Sequence, residues 1–229
     1  MDIRRREFVA VLLGAAASVS AVGPADAQAD PLPSWNEGPA KDAVLKFVRS
    51  TTDSTGPDFV PRGERIATFD QDGTLWVEHP IYTQVVYCFD RVPVIVKAKP
   101  NFANEEPFKT VLSGGRETIA KMSMDDLLRI VGATLTGMDV DTFRDEVVAW
   151  MGEARDPRWK RSYTDLVYLP QIELLKYLRA NGYRTYIVTG GGQDFVRAYS
   201  ERTYVIPPEQ VVGTAGRVRC DTRRTASRC

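Results

Sequence analysis

Apolar residues recur at helical spacing in several blocks of the chain and run together in three short ones. Val44, Phe47 and Val48 share one face of a helix expected over residues 41–52. Residues 65–70 form a short run with apolar side chains on both faces, the pattern of a central parallel strand buried on both sides. From 80 to 169 the pattern is helical. Ile81, Val85, Val86 and Phe89 share a face, and Pro93 and Pro100 are expected to interrupt it. Ser123 has the chemistry of an N-cap, with Asp125 and Asp126 in the first turn and Leu127, Leu128 and Val131 following at helical spacing. Phe143, Val147, Trp150 and Met151 mark another amphipathic helix.

A further helix is expected over residues 170–181, with Leu174, Leu175 and Leu178 inward and Asn181-Gly182 as its stop signal. Residues 185–188 form the second apolar strand, ending at Thr189-Gly190-Gly191-Gly192. Residues 194–204 return to helix, and Val211-Val212 begins a third strand after Pro207-Pro208. Strand, helix and strand in alternation imply an α/β fold with a parallel sheet and right-handed crossovers. About 90 residues of helical pattern between the first two strands are too many for a simple crossover. The division expected is therefore a core over residues 41–79 and 170–216, with a helical cap inserted over 80–169.

The N-terminus changes this picture at one end. Arg4-Arg5-Arg6, an apolar small-residue run from 9 to 22 and Ala25-Asp26-Ala27 have the order of a signal peptide over residues 1–27. Arg5-Arg6-Glu7-Phe8-Val9 resembles a twin-arginine export pattern, which implies a periplasmic or secreted protein. The apolar run is shorter than the roughly 20 residues that span a bilayer, so no membrane anchor is expected after cleavage. Residues 28–40, rich in proline and polar residues, are expected to be a linker. At the other end, residues 217–229 hold five arginines and two cysteines with no period of 2 or 3.6. They are expected to be an aberrant or disordered tail, the scar of a truncation or an out-of-frame extension.

The 229 residues carry 30 basic and 30 acidic side chains, a balance without the basic excess of a nucleic-acid partner. Three cysteines do not make a disulfide framework. Cys88 is expected in the core, and an oxidising compartment would allow Cys220 and Cys229 to pair.

The candidate chemistry lies at Asp70-Gln71-Asp72-Gly73-Thr74, directly after the first strand. Ligands of open α/β sheets bind at the carboxyl ends of the strands. If the first two strands are neighbours, Asp70, Asp72, Thr189 and the amides of Gly190, Gly191 and Gly192 converge on one crevice suited to phosphate. Thr189 would donate its hydroxyl, the glycines allow close backbone approach, and the next helix adds a favourable partial charge. Asp70 would be the nucleophile and Asp72 the general acid and base. Two carboxylates facing a phosphate dianion need a cation, and Mg²⁺, held by Asp70 and Asp72, fits.

Asp70-Gln71-Asp72-Gly73-Thr74 resembles the D-x-D-G-T first motif of the haloacid dehalogenase superfamily. Ile187-Val188-Thr189-Gly190 is similar to its second motif, and the helical insert resembles the cap of the phosphoserine-phosphatase-like branch. The resemblance covers roughly residues 40–215. It implies a Rossmann-like core, Mg²⁺ and hydrolysis of a small phosphorylated substrate. The dehalogenases of that superfamily lack the second aspartate, so Asp72 points to a phosphatase. Members also carry a third-motif lysine and a fourth-motif acidic pair. Between Thr189 and Cys229 there is no lysine, and Asp194, Glu201, Glu209 and Asp221 do not form the expected pair. The C-terminal part of the core is thus expected to be missing and the chain weakly active or inactive. The alternatives are a non-catalytic phosphate- or metal-binding protein and an unstable fragment. Glu78 and His79 are candidate substrate contacts, with plain exposure at the cap entry as the competing reading for both. The cluster Arg158, Trp159, Lys160, Arg161 and Tyr163 is expected to be a solvated loop with Trp159 packed inward. The sequence identifies neither substrate nor oligomeric state.

Overall fold

The computed structural model describes residues 29–114 and 122–219. Residues 1–27, expected to be a signal peptide, and Cys220 and Cys229 lie outside the described residues. Helix α1 (Pro39–Thr52) opens with proline in its first turn, where a missing N–H costs nothing, and buries Val48. In the segment ahead of it, expected to be a linker, Leu32 is fully buried. Trp35 Nε1 there donates to the Pro170 carbonyl at 2.9 Å.

Among the described residues three parallel strands make the sheet: β1 (Ile66–Phe69), β2 (Arg184–Gly192) and β3 (Val211–Thr214), in that spatial order. Phe69 pairs with Ile187, and Ile187 in turn with Val211. The first two strands are therefore neighbours, with matching carboxyl ends. The expected central position of β1 is corrected, because β2 lies between β1 and β3 among the described strands. Ile66 is 52% exposed, as is much of Val188 on the same face of the central β2. Only the Ala67–Phe69 face of β1 is packed, half-buried against Val48 of α1 and against Leu178 and Tyr183, which precede β2. β2 is longer than expected. It continues through the glycines, with a register irregularity between Val188 and Gly192 before Gly192 pairs with Thr214.

Residues 80–168 hold four α-helices among the described residues: α2 (Thr83–Ala98), α3 (Phe108–Ser113), α4 (Met124–Leu135) and α5 (Val140–Glu153). Pro93 lies inside α2 and does not end it, a second correction. The helix is held on both sides of the proline by the buried Val92 and Ile95, so tertiary packing offsets the lost backbone bond. Ser123 caps α4 by accepting from the Asp126 N–H at 3.1 Å, and Asp139 caps α5 through the Thr142 N–H at 2.9 Å. The insert does not build a separate core. Tyr87 of α2 packs on Phe143 and Trp150 of α5 and also on Phe195, which follows β2. Ile187 and Val211 of the sheet belong to the same buried cluster.

Helix α6 (Leu169–Ala180) buries Leu175 and Leu178 and stops at Gly182, whose φ of 81° suits glycine. After β2 the chain makes two helices of five residues each, α7 (Gln193–Arg197) and α8 (Ser200–Tyr204), in place of one longer one. Pro207 and Pro208 then lead into β3.

Candidate active site

Asp70 and Asp72 follow the end of β1, with Gln71 between them turned into the core. Gln71 is almost fully buried and its Nε2 donates to Tyr204 Oη at 2.9 Å. The turn that follows closes on itself. Leu75 N–H donates to the Gln71 carbonyl at 2.9 Å and Gly73 N–H to the Trp76 carbonyl at 3.0 Å. Gly73 has φ of 72°, a conformation that favours glycine. The exit is pinned by Val77 N–H to the Leu166 carbonyl and Tyr168 N–H to the Leu75 carbonyl. The two aspartates thus stand on a turn anchored from below and from the side.

Asp70 is exposed, and its Oδ1 accepts from the Gln71 N–H at 2.8 Å. Asp72 is half-buried, and its Oδ1 accepts from Trp76 Nε1 at 2.7 Å. The Trp76 ring is itself fixed by stacking on Tyr199 at 4.9 Å. Burial pushes the Asp72 carboxyl above the usual carboxylate range. The Trp76 hydrogen bond opposes that rise, and the negative charges of Asp70 and Glu78 add to it.

Thr189 and Gly191 lie beside Asp72. A Cβ built on Gly191 would stand 3.4 Å from Thr189 Oγ1 and 3.9 Å from Asp72 Oδ2. Thr189 Oγ1 accepts from the Gly191 N–H at 3.1 Å, which leaves its own proton to donate outward. The glycines continue strand β2, and the Gly190 carbonyl accepts from Thr214 Oγ1 at 2.8 Å. The helix after them has only five residues, so the partial charge expected from its N-terminus is small.

Glu78 folds back over the turn. A Cβ on Gly73 would come within 2.7 Å of its carboxyl group. His79 is 87% exposed along its side chain and lies 3.4 Å from Glu78 Oε1. His79, Pro80, Pro157 and Arg158 line a cavity of about 380 Å³. Trp159 does not pack inward, a third correction, and is 53% exposed. Asp156 Oδ1 accepts from the Arg158 and Trp159 N–H groups, which turns the tryptophan outward under the Arg158 guanidinium at 4.6 Å.

Two residues of the site escape sequence reading. Trp76 was visible only as an aromatic after the motif. Gln84, in the first turn of α2, accepts from the Gly192 N–H at 2.7 Å. Its only sequence signal is a polar residue at the start of an otherwise apolar helix.

The donor set for a cation is two neighbouring carboxylates. Mg²⁺ is commonly held by one or two carboxylates with substrate phosphate and water, so Asp70 and Asp72 fit it. No group of three or more His, Cys, Asp or Glu side chains is placed to hold a metal among the described residues.

A family model described as haloacid dehalogenase-like hydrolase matches residues 67–227. Among solved structures, a phosphoserine phosphohydrolase-like protein from Francisella tularensis subsp. tularensis SCHU S4 is similar at 16% identity and a TM-score of 0.32. That alignment covers 65% of this chain and 57% of the other. No curated protein matches.

Proposed function

The chain belongs to the haloacid dehalogenase-like hydrolase family, and from that premise we propose that it hydrolyses phosphomonoesters, weakly, through an aspartyl-phosphate on Asp70. The observation that carries this reading is the meeting of Asp72 Oδ2 and Thr189 Oγ1 around Gly191 at the ends of two adjacent parallel strands. A phosphoryl group seated there would accept a hydrogen bond from the Thr189 hydroxyl. An Asp70 carboxylate oxygen attacks phosphorus, and the P–O bond to the leaving group breaks. Asp72 gives its proton to the departing oxygen. The raised affinity of Asp72 for that proton suits it to the role. Asp72, now a carboxylate, takes a proton from the water that attacks the aspartyl-phosphate. Inorganic phosphate leaves, and both aspartates return to their starting states.

Mg²⁺ held by Asp70, and by the Asp72 oxygen that does not carry the proton, would supply the positive charge that lets the nucleophile face a phosphate dianion. Both charges acting on Asp72 are negative, from Asp70 and Glu78, which supports the need for a cation. The substrate is a small phosphomonoester, and the resemblance of the N-terminus to a twin-arginine signal supports action outside the cytoplasm. The test is hydrolysis of p-nitrophenyl phosphate with Mg²⁺ by the wild type beside Asp70→Asn. Turnover that depends on Mg²⁺ and disappears in the variant is expected. Equal rates in the two proteins would overturn the reading.

A further inference from the structure

We infer that Gln84 is a positioning residue that latches the helical insert onto the phosphoryl-binding end of β2; this rests on the phosphatase reading of the site. Gln84 stands in the first turn of α2, more than 100 positions before the glycines it touches. Its Oε1 accepts from the Gly192 N–H at 2.7 Å. The same oxygen lies 3.4 Å from where a Cβ on Gly191 would be, the distance at which Thr189 Oγ1 also lies. The carboxamide therefore stands in the immediate surroundings of the Thr189 hydroxyl and Asp72 Oδ2.

The glycines fit this arrangement. A Cβ on Gly192 would come within 2.5 Å of Gln84 Nε2, and the three atoms nearest that position all belong to Gln84. Gly192 has φ of −66° and ψ of 120°, which any residue adopts. Conformational freedom thus gives no reason for glycine at 192, whereas the space taken by Gln84 does. Gly192 also sits where the β2–β3 register resumes after its irregularity. That irregular stretch lacks the regular ladder hydrogen bonds that would otherwise fix its course. The Gln84 contact is a fixed point on it, two residues from Gly190 and three from Thr189.

The latch makes a specific prediction. Without Gln84, the Thr189–Gly192 segment loses its hold on the phosphoryl group while Asp70 and Asp72 keep their own anchors. KM for p-nitrophenyl phosphate with Mg²⁺ should rise about tenfold in Gln84→Ala, in line with losses of orienting contacts. kcat should change far less. Gly192→Ala should give the same KM rise, because its methyl group displaces the carboxamide. The double variant should be no worse than Gln84→Ala alone, since the collision is gone. The thermal midpoints of the four proteins should show the same non-additivity.

Wild-type turnover with KM unchanged in Gln84→Ala would overturn the latch and leave the phosphatase reading intact. Additive effects in the double variant would overturn it as well. Absence of turnover in the wild type would overturn both. Gly192→Ala alone keeps the question open to measurement if Gln84→Ala does not fold.

Discussion

Asp72 is the residue whose environment says most about the chemistry. Burial raises its affinity for a proton, Asp70 and Glu78 reinforce the rise, and Trp76 Nε1 works against it. A carboxyl group raised on folding binds protons more tightly in the native state than in the unfolded chain. Stability then declines as pH climbs from the ordinary carboxylate range through the native value. Asp72→Asn cannot ionise and keeps an oxygen for Trp76. It should therefore raise the thermal midpoint at about pH 7 with chelator present, and the gain should vanish near about pH 3, below the ordinary carboxylate value. A midpoint difference that does not change with pH would contradict this. Trp76→Phe removes the one interaction that lowers the Asp72 value and keeps an aromatic ring against Tyr199. The pH limb that Asp72 sets on kcat/KM should move upward, as a pH–rate profile would show. At this scale Asp70, Asp72 and Thr189 were legible because each stands at the end of a short apolar run, a local pattern. Gln84 and Trp76 were not, because their partners are set by how distant segments pack.

The elements owe their limits to a few identifiable groups. Ser123 satisfies the Asp126 N–H at the start of α4, and Ser123→Ala should cost about 1 kcal/mol of stability by denaturant unfolding. Leu175 of α6 is fully buried, and Leu175→Ala should cost about 2–5 kcal/mol in the same measurement. A loss below about 1 kcal/mol would mean that the site is less well packed than its burial implies. Helices α1, α4, α5 and α6 were legible from period and caps. Pro93 misled because its local cost is offset by Val92 and Ile95 on either side. Trp159 misled because an aromatic side chain suggests burial, yet the Asp156 carboxylate organises the backbone so that the ring faces out under Arg158. The break between α7 and α8 left no clear mark, since Phe195, Val196 and Tyr199 continue the helical pattern across it and all three are buried.

Across the whole molecule, the sheet has two unlike faces. Ala67, Phe69, Thr185, Ile187 and Val211 point into packed side chains. Ile66, Val188 and Val212, on the opposite face by alternation and register, are each close to half exposed or more. An apolar sheet face left open favours association on heating. Val188→Lys should reduce light scattering during thermal unfolding without lowering the midpoint. The expectation of β1 as a central strand failed here, because apolar residues on both faces of a strand do not say whether both are covered. The parallel pairing of the strands was legible, since βα alternation admits few topologies. The central claim is that Asp70 carries the phosphoryl group. It is tested most directly by acid-quenching the protein during turnover of p-nitrophenyl phosphate with Mg²⁺ and mapping the phosphoryl group by peptide mass spectrometry. An added phosphoryl group on Asp70, absent from Asp70→Asn, is expected. A phosphoryl group on another residue, or turnover with no phosphorylated protein, would contradict it.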